Sequence, residues 1–163
     1  HTQAARLLDL EGITLGRHLE LHKTKYITPD TTPDPRKTRY EGPRGLSVVT
    51  GRVCYNGDFW IATRGLAGQG GISSTQRLSQ LVFELARKQW NIDYTFAIIP
   101  QRMAQKGLQI RYGFTNCERG RWIGPDEQVT EEDYLAWMSG EDLYRNIVES
   151  HRTVSKPKSL ETI

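Results

Sequence analysis

A chain of 163 residues with 37% apolar and 25% charged residues is long enough to close one core and too hydrophobic to be disordered. It lacks an apolar run of the ~18 to 20 residues that spans a bilayer, and its two cysteines, Cys54 and Cys117, form no CxxC pair. A membrane-spanning helix, a disulfide framework and a zinc ribbon are therefore unsupported. The net charge of +3 is uneven, because residues 125–150 hold eight acids against Arg145 alone, leaving +10 for the rest. That asymmetry attracts polyanions to one surface and repels them from another.

Along the chain, QAARLLDL (3–10) suits a short amphipathic helix closed by Gly12. Residues 13–27 read equally as strand or helix. Residues 28–45 hold Pro29, Pro33, Pro35 and Pro43, which fix φ and remove donors, so they read as a loop or basic arm outside regular structure. Arg36, Lys37, Arg39 and Arg44 stand there beside Tyr40 and suit either nucleic acid or a loop wrapped around the domain. Residues 46–54 and 58–63 flank Tyr55-Asn56-Gly57, a hairpin signal, since Asn-Gly tolerates positive φ. A capped helix follows, with Ser73 and Gln76 as its capping box and Leu78, Leu81, Val82, Leu85 and Trp90 as its apolar stripe. Ile92 to Ile99 reads as a strand, Gln101 to Lys106 as a short helix, and 108–114 and 121–123 as further strands. Thr130 with Asp133 caps a helix carrying Trp137 and Met138, and a second acidic helix follows Ser139-Gly140. The expectation is one α+β domain over 1–152, a small mixed sheet with a β-hairpin and packed helices, an acidic helical end over 125–150 and a frayed tail over 153–163.

The clearest candidate site precedes the helix. Arg64, Gly65, Gly68, Gly70, Gly71, Ser73 and Ser74 form a glycine-rich turn opening on a helix start, where unpaired N–H groups suit a phosphate. The run is neither a Walker A loop nor a GxGxxG fingerprint, and a plain flexible link is the alternative. The stretch Pro100 to Trp122 holds Arg102, Lys106, Arg111, Arg119 and Arg121 against Glu118. Arg111, Arg119 and Arg121 are candidate phosphate grips, and Glu118 is the candidate catalytic carboxylate, for a metal, a water or an arginine. A salt-bridge cluster is the alternative for the whole group. His18, Glu20 and His22 share one face of a strand or one side of a helix without a third strong ligand. Cys117 has no identifiable base-histidine partner.

The hairpin, polar Gly/Arg turn and helix over residues 46–99 resemble the core of the ParB/sulfiredoxin superfamily. Its members place a G-E-R-R or G-C-H-R box where this chain has Thr63-Arg64-Gly65-Leu66; the nearer string Cys117-Glu118-Arg119-Gly120-Arg121 comes one strand later. The resemblance implies nucleotide or nucleic-acid binding at that turn, carried here by Arg64 and the following glycines. Some plasmid fertility-inhibition (Osa-type) members are ATP-dependent nucleases, so ATP and a divalent metal such as magnesium are the implied cofactors. The functional expectation is a cytoplasmic DNA-binding or DNA-processing protein of plasmid or phage type. Its rivals are a non-enzymatic DNA-binding regulator and a protein-interaction module using the acidic helices with Trp137 and Met138.

Overall fold

The computed structural model describes residues 2–26, 34–60 and 74–154. They form a single α+β domain around a six-stranded mixed sheet of order β1-β3-β4-β6-β5-β2. In chain order the elements are β1 (Thr2–Leu10), α1 (Leu15–His22), β2 (Arg39–Glu41), α2 (Gly45–Val48), β3 (Gly51–Trp60), α3 (Ser74–Trp90), β4 (Tyr94–Pro100), α4 (Gln101–Ala104), α5 (Leu108–Tyr112), β5 (Asn116–Ile123), β6 (Val129–Ser139) and α6 (Gly140–Val154). The β3–β4 pairing is parallel and every other pairing is antiparallel.

Because strand side chains alternate between faces, β4 and β6 feed two cores at once. On one face Phe96, Leu135 and Trp137 pack with Leu10, Val53 and Val49 under α1, through Leu15 and Leu19. On the other, Ala97, Ile99, Ala136 and Met138 pack with Phe83 and Ala86 of α3, Tyr112 of α5 and Leu143 of α6. Helices thus cover both faces of the sheet. Thr14 caps α1 by accepting the Arg17 amide at 3.3 Å. Asn91, at φ +45°, closes α3 in the left-handed conformation that a short polar side chain tolerates.

Several expectations are corrected. Residues 3–10 are not a helix but edge strand β1, whose Ala and Leu are held extended by pairing with β3 from Leu10↔Gly51 to Ala4↔Gly57. Asn56-Gly57 is not a hairpin turn, because β3 runs straight through it. The pair instead marks a register irregularity beyond Ala4↔Gly57. A Cβ at Gly57 would lie 2.6 Å from the Tyr55 ring, so glycine is needed there for close approach. The hairpin of this sheet is β5–β6, turned through residues 124–128 with Glu127 at φ +59°.

The arm over 28–45 is not wholly irregular, since Arg39–Glu41 form edge strand β2 on β5 and Gly45 opens α2. Leu108–Tyr112 is a helix and not a strand. Gly107 and Gly113, at φ +74° and +80°, bracket that single turn, which alternating residues alone could not reveal. The first acidic helix is in fact the interior strand β6. Its run of buried Leu135, Ala136, Trp137 and Met138 arises because both sheet faces are covered. Ser139-Gly140 is consequently a strand-to-helix junction, where Ser139 Oγ accepts the Asp142 amide at 3.1 Å and caps α6. Helix α3 is where the sequence places it, but its buried side is Ser79, Phe83 and Ala86, while Leu81 and Leu85 are about half exposed.

Among the described residues no helix is long and apolar enough to cross a membrane. Among the described glycines, the closest packing is at Gly120, where an added Cβ would stand 2.0 Å from the Tyr40 hydroxyl oxygen and 2.3 Å from its ring. Gly120→Ala should therefore destabilise the protein by about 1–3 kcal/mol, because a rigid ring and not a flexible chain end must move. Urea unfolding of the variant against the parent measures it.

Candidate functional site

Two regions of the fold hold the polar and charged groups of interest. The first is the far edge of the sheet, where β2, β5 and β6 bring arginines and glutamates into facing rows. Arg39 forks onto Glu127, with Nη1–Oε1 at 2.8 Å, and also binds Glu41. Arg119 reaches both oxygens of Glu132 at 2.7 Å, and Arg121 stands 4.0 Å from Glu41. Bonding to these glutamates holds the Arg39 and Arg119 guanidinium groups above their usual range, and Arg39 holds the Glu127 carboxyl below its own. Glu41, Arg119, Arg121 and Glu132 line a cavity of about 220 Å3 at this edge. The cationic groups expected to grip phosphate are thus already matched by carboxylates.

Beneath this edge, on the α1–α2 face, lies a half-buried polar cluster. Gly45 N–H donates to Glu118 Oε2 at 2.8 Å and Trp137 Nε1–H donates to the same oxygen at 3.2 Å. Arg44 Nε stands 3.6 Å from Oε1, and its guanidinium lies 5.6 Å from the Trp137 ring centre. Glu118 therefore ties the start of α2 to β5 and β6. Deeper in, Trp122 Nε1–H donates to Asp133 Oδ2 at 3.1 Å, and Tyr40 packs on Trp122 with ring centres 4.7 Å apart. Among the described residues, Tyr40 Oη and Asp133 Oδ1 are buried without a hydrogen-bond partner. Burial raises the Tyr40 hydroxyl well above its ordinary value. Burial first, then the Glu131 charge, raises Asp133 to about 6.

The second region is the C-terminal end of the parallel pair β3–β4. Residues 61–73 and α3 connect these two strands, so α3 runs back against them and its first turn opens where both strands finish. Such a strand end is a common place for ligands in sheets with parallel connections. Two cavities lie there. One, about 220 Å3, is apolar and lined by Ile99, Pro100, Met103 and Leu108 with Asn56 at its end. The other, about 370 Å3, lies between α3, α5 and α6, with Gln76, Gln80, Phe83, Arg111 and Phe114 in its wall. Tyr112 borders both. Arg77 in the first turns of α3, Arg102 on α4, Lys106 in the turn after it and Arg111 on α5 are all exposed around this end. None of the four has an ion pair or side-chain hydrogen bond among the described residues.

Of the residues expected to bind phosphate, Arg64, Gly65, Gly68, Gly70, Gly71 and Ser73 lie outside the described residues, and Ser74 is the first residue of α3. Arg36 is exposed and Lys37 pairs with Asp34 at 3.7 Å, away from Arg111. Arg111 is therefore separated from Arg119 and Arg121, which belong to the facing rows. Arg77 was missed from the sequence, although it follows the capping-box Gln76 directly. His18 and His22 lie one turn apart on α1 with ring centres 4.7 Å apart. His18 bonds the Tyr26 hydroxyl at 2.9 Å and is lowered to about 4, first by burial. Among the described residues no group of three His, Cys, Asp or Glu side chains is placed to hold a metal ion. Cys117 is half-buried, and burial raises its thiol, the direction opposite to activation.

The chain matches no protein-family model, no curated protein and no solved structure.

If Glu118 is a structural tie, Glu118→Ala leaves two partly buried donors unpaired. It should cost about 1–3 kcal/mol, with Glu118→Gln recovering most of it. Denaturant midpoints of the two variants test this. Asp133 is only 4% exposed, and its folded pKa lies above the ordinary carboxylate value. Ionising it therefore costs stability, absent below pH ~4, growing as pH rises through the interval to ~6 and complete above that. Asp133→Asn should accordingly be more stable than the parent at pH 8 by on the order of 2 kcal/mol, with the gap closing by pH 4. Thermal melts across that range would show a constant gap if the account is wrong.

Proposed function

We propose that the protein binds the phosphate backbone of DNA at the C-terminal end of the β3–α3–β4 unit. The observation that carries this is the division of its cations. Arg39, Arg119 and Arg121 face Glu127, Glu132 and Glu41, whereas Arg77, Arg102, Lys106 and Arg111 are exposed around one strand end without such partners among the described residues. Neutralised arginines gain little from a phosphate, because each new contact must displace an existing one. Unpaired cations release counterions from DNA directly, and that release is the larger part of non-specific affinity. The first amides of the 17-residue α3 open at the same end and add a positive dipole.

The strand, glycine-rich run and helix retain the order shared with ParB/sulfiredoxin-like proteins, although the hairpin in that likeness gives way to a single strand. Arg64 and the glycines would face phosphate in that arrangement. A nuclease driven by ATP and magnesium would draw on Glu118, whose Oε2 already accepts from Gly45 and Trp137. Binding without turnover is the reading the geometry favours. A docking role for Trp137 and Met138 is disfavoured because both are buried in the cores.

Fluorescence anisotropy with a labelled oligonucleotide tests the proposal. Replacing Arg102, Lys106 and Arg111 together by Ala should weaken binding roughly tenfold or more near ~0.1 M salt and flatten the salt slope by about one per lost phosphate contact. Replacing Arg119 and Arg121 should change affinity by less than about threefold, since paired surface charges contribute little. The opposite ranking, or no DNA binding by the parent, overturns the reading. The same DNA incubated with ATP and magnesium reveals any nicking.

A further inference from the structure

The two edges of the sheet are built differently. Strand β2 has three residues, carries the charged Arg39 and Glu41 and is followed by Pro43, all features that resist further pairing. Strand β1 has nine residues, holds neither proline nor lysine, and keeps unbroken register with β3 from Ala4 to Leu10. Among the described strands β3 is its only neighbour, so its outer N–H and C=O groups form a template for one more strand.

Helix α3 packs more closely on β1 than on β3 or β4. Its helical period divides its surface. Phe83 and Ala86 enter the core, while Gln76, Gln80 and Arg87 turn toward α5 and α6, with Arg87 4.3 Å from the Tyr144 ring centre. The opposite flank, Leu78, Val82 and Leu85 with Leu81 above it, therefore turns to the open edge of β1. Leu81 is 52% and Leu85 46% exposed. Leu7, on the α3 face of β1 across from buried Cys54, is 38% exposed. An unpaired strand edge and an apolar helix flank thus lie side by side. Neither bears a net charge. Arg77, Glu84 and Lys88 fall on another side of α3, and β1 holds one charge of each sign, Arg6 over its own Tyr55 ring and Asp9 on the Glu11 amide. Such an edge selects neither a polyanion nor a charged peptide.

We infer that this edge is an interface between two copies of the chain, with β1 pairing antiparallel to β1 of the second copy. A two-fold axis normal to the sheet makes that pairing and keeps both α3 helices on the same side. Helices laid over neighbouring strands ~4.8 Å apart come within the ~8–10 Å of packed helices, so the leucine flanks meet. A second copy supplies a strand of equal length, an apolar flank beside it and no unmatched charge. The edge is ~30 Å long and two layers deep, the scale of the ~800 Å2 that each partner buries in a standard interface. Assembly closes at two copies, because only the short, charged β2 edges remain outside. The inference is independent of the DNA-binding reading.

Sedimentation equilibrium tests it. At ~50 μM the parent should show twice the 18.7 kDa mass of the chain. Leu81→Lys combined with Leu85→Lys, and separately Leu7→Lys, should each raise the dimer dissociation constant about tenfold or more. Ile110→Lys, at a more exposed site on α5 away from this edge, should leave it unchanged. Circular dichroism of the lysine variants should show the parent's secondary structure, since the replaced side chains are solvent-accessible. Hydrogen exchange supplies a second readout: β1 amides should exchange faster in these variants than in the parent, with β4 amides unaffected. A monomeric parent at that concentration, a dimer that the lysine variants leave intact, or an assembly larger than two copies overturns the inference.

Discussion

Strand β6 is the constraint on which the rest of the domain depends. It is paired on both sides, with β4 from Tyr94↔Ser139 to Pro100↔Asp133 and with β5 from Asn116↔Trp137 to Ile123↔Val129. Its consecutive side chains enter opposite cores, Leu135 and Trp137 on one side and Ala136 and Met138 on the other. Burying a large side chain such as Leu135 or Met138 contributes about 1.5–3 kcal/mol relative to exposure, and with one such residue entering each core the strand holds both helical layers together. The Trp137 indole extends the effect beyond apolar contact. Through Glu118 it fixes the start of α2, and so sets how the N-terminal segment closes over the sheet.

The same arrangement separates two kinds of electrostatics. At the β2–β5–β6 edge, strand pairing brings opposite charges into register, with Arg121 directly across from Glu132 and Arg119 beside it. These pairs are solvent-exposed, so they specify how the edge strands align more than they stabilise them. At the other end, the crossover from β3 to β4 leaves a helix start, two cavities and several cations without a partner among the described residues. Parallel neighbours require a long connection, and that connection here contains the glycine-rich run. The chemistry most suited to binding arises where the sheet departs from antiparallel pairing.

Much of the architecture can be read from residue pattern, and the failures have physical causes. Helix α3 is legible because seventeen residues of helical period follow a capping signal, yet its buried side is misjudged. Leucine at positions 81 and 85 outranks Ser79 on any hydrophobicity scale, although Ser79 is the residue packed inside. Strand β6 is misread because a strand buried on both faces loses its two-residue alternation, and Thr130 with Asp133 imitates a cap. Asn56-Gly57 signals permissive backbone correctly, but a register irregularity and a turn need the same permissiveness. For the site, the basic stretch from Arg102 to Arg121 is visible as composition. Its split into paired and unpaired halves depends on Glu41, Glu127 and Glu132, which only strand register brings across.

Both outer strands of the sheet come from the first 41 residues, β1 on one border and β2 on the other. The partner of β2 is synthesised some eighty positions later, as Tyr40 meets Trp122, and β1 waits for β3 across some forty. A growing chain leaving the ribosome therefore carries two strands whose neighbours do not yet exist. Closing such distant pairings places the loop-entropy cost ahead of the contacts that offset it, which slows folding and exposes open strand borders meanwhile. The prolines between these two strands are compatible with that delay, since they keep the intervening stretch out of premature ladders.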